Sequence, residues 1–206
     1  MSLDVIRAEA RAEVGRHYSG LLHFVFTTCV GLATIIAAAM QLDHPRWSLL
    51  AVPLTFFYAN LVEYFGHKGP MHNPVRLLRL VYQRHTLLHH AFFTEETMEV
   101  ASTRDFKMVL FPPVLIVFFF GLFALPAAVL LRAVFGANAA ALFVITAMSY
   151  FLLYEWLHLA YHLGFRIPLV GALRTHHAAH HNPRAMSSHN FNITFPICDA
   201  IFGTRL

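Results

Sequence analysis

Hydrophobic and polar positions along this chain fall into blocks. Two apolar runs, residues 21–40 and 47–65, flank a short polar link that contains Asp43 and Pro45. A long polar segment, 67–107, follows. Two further apolar runs, 109–135 and 139–157, flank Gly136-Ala137-Asn138, and a second polar segment closes the chain. Runs of about 20 apolar residues are long enough to cross the hydrocarbon core of a bilayer, so the pattern predicts four membrane-spanning helices. Links this short make consecutive spans antiparallel, which predicts two hairpins. Residues 3–17 predict a short charged helix, a surface segment leading into the membrane. Asn73-Pro74 reads as an N-cap followed by proline at the first helical position. It would open a helix to about Phe93 with Leu78, Tyr82, His85 and His89 on one face, ahead of a loop at 94–97. Pro112 and Pro113 fit the first turn of the third span, and Pro126 predicts a kink in it. The fourth helix is expected to continue to His162. A last helix from Pro168 to His181 is expected to stop at Asn182-Pro183.

Composition removes the soluble alternative. Of the 206 residues, 57% are hydrophobic and 13% charged, and the mean hydropathy is +0.55. The expected organisation is one all-α membrane domain over 1–206. Its parts are an N-terminal surface segment (1–20), a first hairpin (21–66), a polar segment (67–107), a second hairpin (109–162) and a C-terminal segment (163–206). The net charge is +4, yet nothing resembles a nucleic-acid motif, and no nucleic-acid partner is expected. The basic residues have a topological explanation instead, since Arg and Lys gather on the cytoplasmic side of membrane helices. Arg7, Arg11, Arg16, Lys68, Arg76, Arg79, Arg84, Arg104, Lys107, Arg166, Arg174, Arg184 and Arg205 fall on the face shared by both termini and both long polar segments. Only Arg46 and Arg132 fall on the other. Both termini are therefore expected in the cytoplasm. Acidic Asp4, Glu9 and Glu13 among the N-terminal arginines, and an apolar run too long for a cleaved signal, argue against a signal peptide. Cys29 and Cys198 imply no disulfide framework and read as buried, unreactive thiols.

The chemistry lies in the histidines. Of 15 in the chain, ten form four clusters: His67 and His72; His85, His89 and His90; His158 and His162; His177, His180 and His181. All fall on the expected cytoplasmic side. Neutral imidazole is the commonest side-chain metal ligand, and polar groups at a membrane are costly without a partner. A metal centre is the simplest reason for such a collection. An α-helical residue advances about 100°, so His85 and His89, like His158 and His162, sit about 40° apart and each pair can grip one ion. His90 and His181 are turned about 100° from the histidines before them, so adjacent histidines point to different places. Ten imidazoles also exceed the four to six ligands of one ion. Two metals side by side are predicted. His67 and His72 straddle Gly69-Pro70 and must come from a helix end and the turn after it. Imidazole suits zinc, copper, iron and nickel alike, but two histidine-bound irons able to activate oxygen fit this ligand count better than structural or hydrolytic zinc.

The order HxxxxH, HxxxHH, HxxxH, HxxHH resembles the fatty acid hydroxylase superfamily, with its sterol desaturases, sphingolipid fatty acid hydroxylases and carotenoid hydroxylases. The closing string from Asn190 through Phe191, Asn192, Ile193, Thr194, Phe195, Pro196, Ile197 and Cys198 to Asp199, then Ile201-Phe202-Gly203-Thr204, resembles that superfamily's tail. The resemblance covers about residues 47–206. It implies that His67, His72, His85, His89, His90, His158, His162, His177, His180 and His181 are the metal ligands. It further implies a non-haem di-iron oxygenase that uses O2 and electrons from a reductase chain. Two iron ions are the implied cofactors, with zinc able to replace them in overexpressed protein. The partners implied are a membrane lipid substrate and a separate electron donor of cytochrome b5, ferredoxin or reductase type. Hydroxylation of a lipid C–H bond is favoured over desaturation on the resemblance alone.

Other residues have plainer readings. His44 belongs to the opposite face, and His17 and His23 suit an interface. His176 lies about 40° from His180 on a helix, but the HxxHH spacing selects His177. His189 suits a supporting role or none. Glu63 and Glu155 stand one turn before His67 and His158. They suit either a hydrogen bond to a ligand histidine or an ordinary structural role. The Phe runs, such as 118–120, read as lipid-facing or packing residues. Two rival functions remain: a metal transporter, which would need polar ligands in mid-span, and a structural protein with zinc-stapled helices.

Overall fold

The computed structural model describes residues 2–165 and 168–206. Arg166, counted above on the basic face, lies outside them, as do the side chains of Phe118 and Phe119. Every regular element among the described residues is helical. Four stretches are long and apolar enough to cross a membrane: Gly20–Ala39, Arg46–Met71, Thr103–Phe135 and Ala137–His162. The first three bury only 17%, 17% and 6% of their most apolar windows inside the protein, against 50% for the fourth. Side chains such as Leu54, Val117 and Phe135 point outward. Spans that turn this much apolar side chain outward suit lipid as solvent and not water.

The chain divides into two compact units. The first comprises residues 23–59 and 111–154. Within it Gly31 permits a close approach, because a Cβ there would come within 2.7 Å of the Leu152 side chain. Phe56 meets Tyr150 edge-on at 5.6 Å, and Tyr58 lies 6.2 Å from Phe143. The short links of the sequence pattern are tied together: Asn138 accepts from the Asp43 N–H at 2.8 Å and donates to its carbonyl at 2.6 Å. The third span is not one straight helix. Phe106–Val109 ends before Pro113–Phe119 begins, and a π-turn, Phe120–Ala124, precedes Leu125–Phe135. The Pro126 ring crowds the carbonyl four residues back, which lies in that wider turn, so the expected kink takes the form of a π-turn. Cys29 is exposed, contrary to the expectation of a buried thiol. It lies on a helix whose surface is mostly turned outward.

The second unit comprises residues 1–22, 60–110 and 155–206 and holds all ten clustered histidines. Its N-terminal helix, Leu3–Ala12, is no loose surface segment, since Arg7 and Arg11 bind residues far along the chain. The continuous helix expected from Pro74 is broken into a 3-10 turn Arg76–Leu78, an α-turn Arg79–Tyr82, a π-helix Gln83–His89 and an α-turn His90–Phe92. Asn73 is not its N-cap. The Asn73 Nδ2 donates to the carbonyls of Lys68 and Gly69 at 3.0 and 3.2 Å. Those carbonyls belong to a second π-segment, His67–Met71, which continues the Ala51–Gly66 helix. Pro168–His180 is helical as expected.

After that helix the tail folds on polar contacts. The Asp199 carboxylate, fully buried, accepts from the N–H groups of Phe191 and Asn192 at 2.9 and 2.7 Å and from Thr204 Oγ1 at 2.7 Å. Asn192 donates to the Asn60 carbonyl at 3.0 Å, and Asn60 Nδ2 donates to the Phe195 carbonyl at 2.8 Å. Tyr64, Phe191 and Cys198 form a small apolar core beside this network.

Candidate metal centre

The two π-segments set which histidines meet. In a π-helix the backbone hydrogen bond links residues five apart and not four, which widens the turn. His67 and His72 are five apart, and so are His85 and His90. All four fall in one group with His180, their ligand atoms within 4.8 Å of one another. A second group of the same compactness contains His89, His162, His177 and His181. Adjacent histidines therefore split as the sequence predicts: His89 from His90, and His180 from His181. The α-helical expectation that His85 and His89 share an ion fails, because the π-turn sends them to different groups. His158 stands beside the second group, its Nε2 3.3 Å from that of His89. The groups are neighbours, with the rings of His90 and His181 4.4 Å apart.

Most of these rings are held through Nδ1. His67 donates to the Phe191 carbonyl at 2.5 Å and His180 to that of His189 at 2.7 Å. His89 donates to Met108 at 2.9 Å, His162 to Met98 at 2.7 Å and His181 to Phe93 at 2.9 Å. A carbonyl only accepts, so Nδ1 carries the hydrogen and each Nε2 keeps a bare lone pair. Thr86 treats His72 similarly. The threonine hydroxyl donates to the Met71 carbonyl at 2.6 Å, which leaves its oxygen to face His72 Nδ1 at 3.2 Å.

This arrangement tests the site for a metal. His72 and His180 bring their Nε2 atoms to 3.0 Å, and His89 and His181 bring theirs to 3.1 Å. In each pair both hydrogens are committed at Nδ1, so two lone pairs face each other and repel. A cation between them reverses the sign. Imidazole ligands about 2.0–2.1 Å from one ion sit about 3 Å apart when their bonds are near right angles. The remaining edges, from 2.9 Å for His67–His85 to 3.3 Å for His162–His177, fall in the same range. The residues fit a metal in each group.

Electrostatics agree. Burial, the largest cause throughout, depresses the imidazoles: His72 to about 3, His180 to about 4, and His85, His89, His90, His177 and His181 well below the ordinary histidine value. Neighbouring imidazoles add to this at each of them. The rings are thus neutral donors at ordinary pH. The second group is the drier, its members no more than 2% exposed, while His72 in the first group is half-buried.

Residues left open by the sequence now have places. His176 is outside both groups, its Nε2 3.5 Å from Asp199. His189 contributes its carbonyl to His180, and its ring hydrogen-bonds Ser188 at 2.8 Å. His44 is exposed beside Asp43, and His23 meets the Phe111 carbonyl at 3.1 Å. Glu63 does not take the Nδ1 hydrogen of His67. It accepts from the N–H groups of Ile193 and Thr194 at 2.5 and 3.0 Å and from Thr194 Oγ1 at 2.6 Å. Its action on His67 is indirect, through the tail that supplies the Phe191 carbonyl. Glu155 is buried and adds to the rise of the Tyr18 hydroxyl, which burial pushes to about 12. Thr86 and Asp199 were missed as supports. Asp199 closes the family-like string, but its role depends on contacts that no spacing announces.

The comparisons follow this geometry. No individually curated protein sequence matches the chain at a significant level. Among solved structures, full-length scs7p, of which only the hydroxylase domain is visible, is similar with a TM-score of 0.65 at 20% identity, over 91% of this chain and 67% of that one. At that identity the likeness concerns the fold. Residues 52–204, which include all four histidine clusters and nearly all of the polar tail, match the family described as fatty acid hydroxylase. The chain therefore belongs to the fatty acid hydroxylase family.

Proposed function

We propose that this protein is a membrane-bound non-haem di-iron oxygenase that hydroxylates a C–H bond of a fatty acyl, sphingolipid or sterol-like chain. The observation that carries the reading is the pair of buried all-histidine groups, with Nε2 lone pairs facing each other at 3.0 and 3.1 Å, in a chain of this family. His67, His72, His85, His90 and His180 would hold one ion. His89, His162, His177 and His181, with His158 beside them, would hold the other. When bound, a pair of redox-active ions supplies the oxygen activation that attack on an unactivated C–H bond requires. The chain's own residues prepare the place. Backbone carbonyls fix the tautomer and tilt of His67, His89, His162, His180 and His181, and burial keeps the rings neutral and excludes water.

On this reading one oxygen atom of O2 enters the C–H bond. The other leaves as water, with two electrons supplied by a separate donor protein and two protons drawn from the aqueous phase. The substrate comes from the bilayer around two helical hairpins. The basic face, both termini and the metal centre lie in the cytoplasm. The test supplies 18O2 and a reductant to the purified protein in lipid. A lipid alcohol carrying the label supports hydroxylation. An unlabelled alkene makes the enzyme a desaturase. No oxidised lipid across a broad panel returns the question to the transporter and zinc-staple readings.

A further inference from the structure

The loop after His90 offers two pairs of consecutive carbonyls. In each pair one member serves the second histidine group: Phe93 accepts from His181 Nδ1 at 2.9 Å, and Met98 from His162 Nδ1 at 2.7 Å. The other member of each pair binds a single side chain of the N-terminal helix. Arg7 Nε donates to the Phe92 carbonyl at 2.8 Å, and Arg7 Nη2 to that of Thr97 at 2.7 Å. A guanidinium presents its donors in a fixed fork, so one group sets the spacing of both carbonyl pairs. Arg11, one turn on, extends the hold. It grips the buried Asp105 with two hydrogen bonds, at 2.9 and 2.8 Å, and Asp105 also accepts the Ala101 N–H at 2.9 Å. Both guanidiniums lie over the Phe92 ring, at 5.4 and 5.1 Å. The helix precedes the family-matched stretch, which begins at residue 52.

We infer that the N-terminal helix is a positioning element for the second metal site, acting through Arg7 on the carbonyls that aim His162 and His181. The inference rests on the reading that this group binds a metal. Its action is specific, because the first group takes its carbonyls from residues 189 and 191 and not from this loop. Loss of a ligand's supporting hydrogen bond typically weakens metal binding 10- to 100-fold.

The test loads the purified full-length protein with Fe(II) without oxygen. It then measures ions per chain, their release to a chelator, and the melting temperature of the metal-free protein. Wild type should hold close to two ions. Arg7→Gln should release one of them about 10- to 100-fold faster and leave the other unchanged. In a His180→Ala background, where the second group stands alone, the remaining ion should show the faster release. In a His181→Ala background Arg7→Gln should have no effect. Arg7→Lys keeps the charge but loses the fork, and gives the same pattern in a milder form should the glutamine variant fold poorly. Unchanged release in Arg7→Gln overturns the inference and leaves the metal reading standing. Equal acceleration of both ions with a lower melting temperature also overturns it, because the helix would then be a general brace. A wild-type protein that binds no iron overturns both.

Discussion

The first histidine group takes carbonyls from the end of the chain, the second from mid-chain segments, one of which the N-terminal helix grips. His67 and His180 donate to carbonyls of residues 191 and 189, in a tail fastened by Asn60, Glu63, Asn192 and Asp199. His162 and His181 donate to carbonyls of a loop gripped by Arg7 and Arg11, and Phe93 packs over His162 at 4.1 Å. The device is the same in both, a backbone carbonyl at Nδ1, but the supports differ. One is a buried polar network inside the family-matched region, and the other a cationic clamp outside it. The first group has a half-buried member, and the second is closed. Equivalent ligand chemistry can thus be held by unrelated means, because a carbonyl asks nothing of its own side chain.

The comparison breaks first at the ligands. His180→Ala and His181→Ala should each bring lipid oxidation to background and remove about one of two ions, each from a different group. Elemental analysis beside product assays checks this, and loss of both ions from either variant would show that the groups are not independent. Next comes Asp199. Burial alone would raise its carboxyl, but contacts from His176, Thr204 and the N–H groups of Asn192 and Phe191 outweigh that and hold it below the usual value. Asp199→Ala leaves buried donors without an acceptor and should destabilise the fold by about 3 kcal/mol. Thermal unfolding measures that, and the first ion should be lost before the second. Thr86→Val should weaken only the first ion, by about tenfold, while Thr86→Ser stays near wild type; metal titration in a His181→Ala background reads it directly. The smallest effect is at His44. His44→Ala should leave ion content and turnover unchanged, and any loss would place a functional group where neither histidine group reaches.

The sequence by itself determined the membrane class, the four apolar helices, the histidine clusters and the division of His89 from His90 and of His180 from His181. Each follows from local facts: the length of an apolar run, or the angle between neighbours on any helix. Tertiary structure decided the rest. His85 joins His90 because the backbone from 83 to 89 widens to a π-helix, a distortion that surrounding packing sustains and helix periodicity does not encode. Asn73 closes a π-turn where a cap was expected, and Glu63 holds the tail where a ligand partner was one expectation. The charged N-terminal helix reads as a free surface segment because Arg7 and Arg11 find their partners some 85 to 94 residues away. The carbonyls that aim the histidines belong to the main chain, which is the same at every position, so only the fold can say which of them a ring will meet.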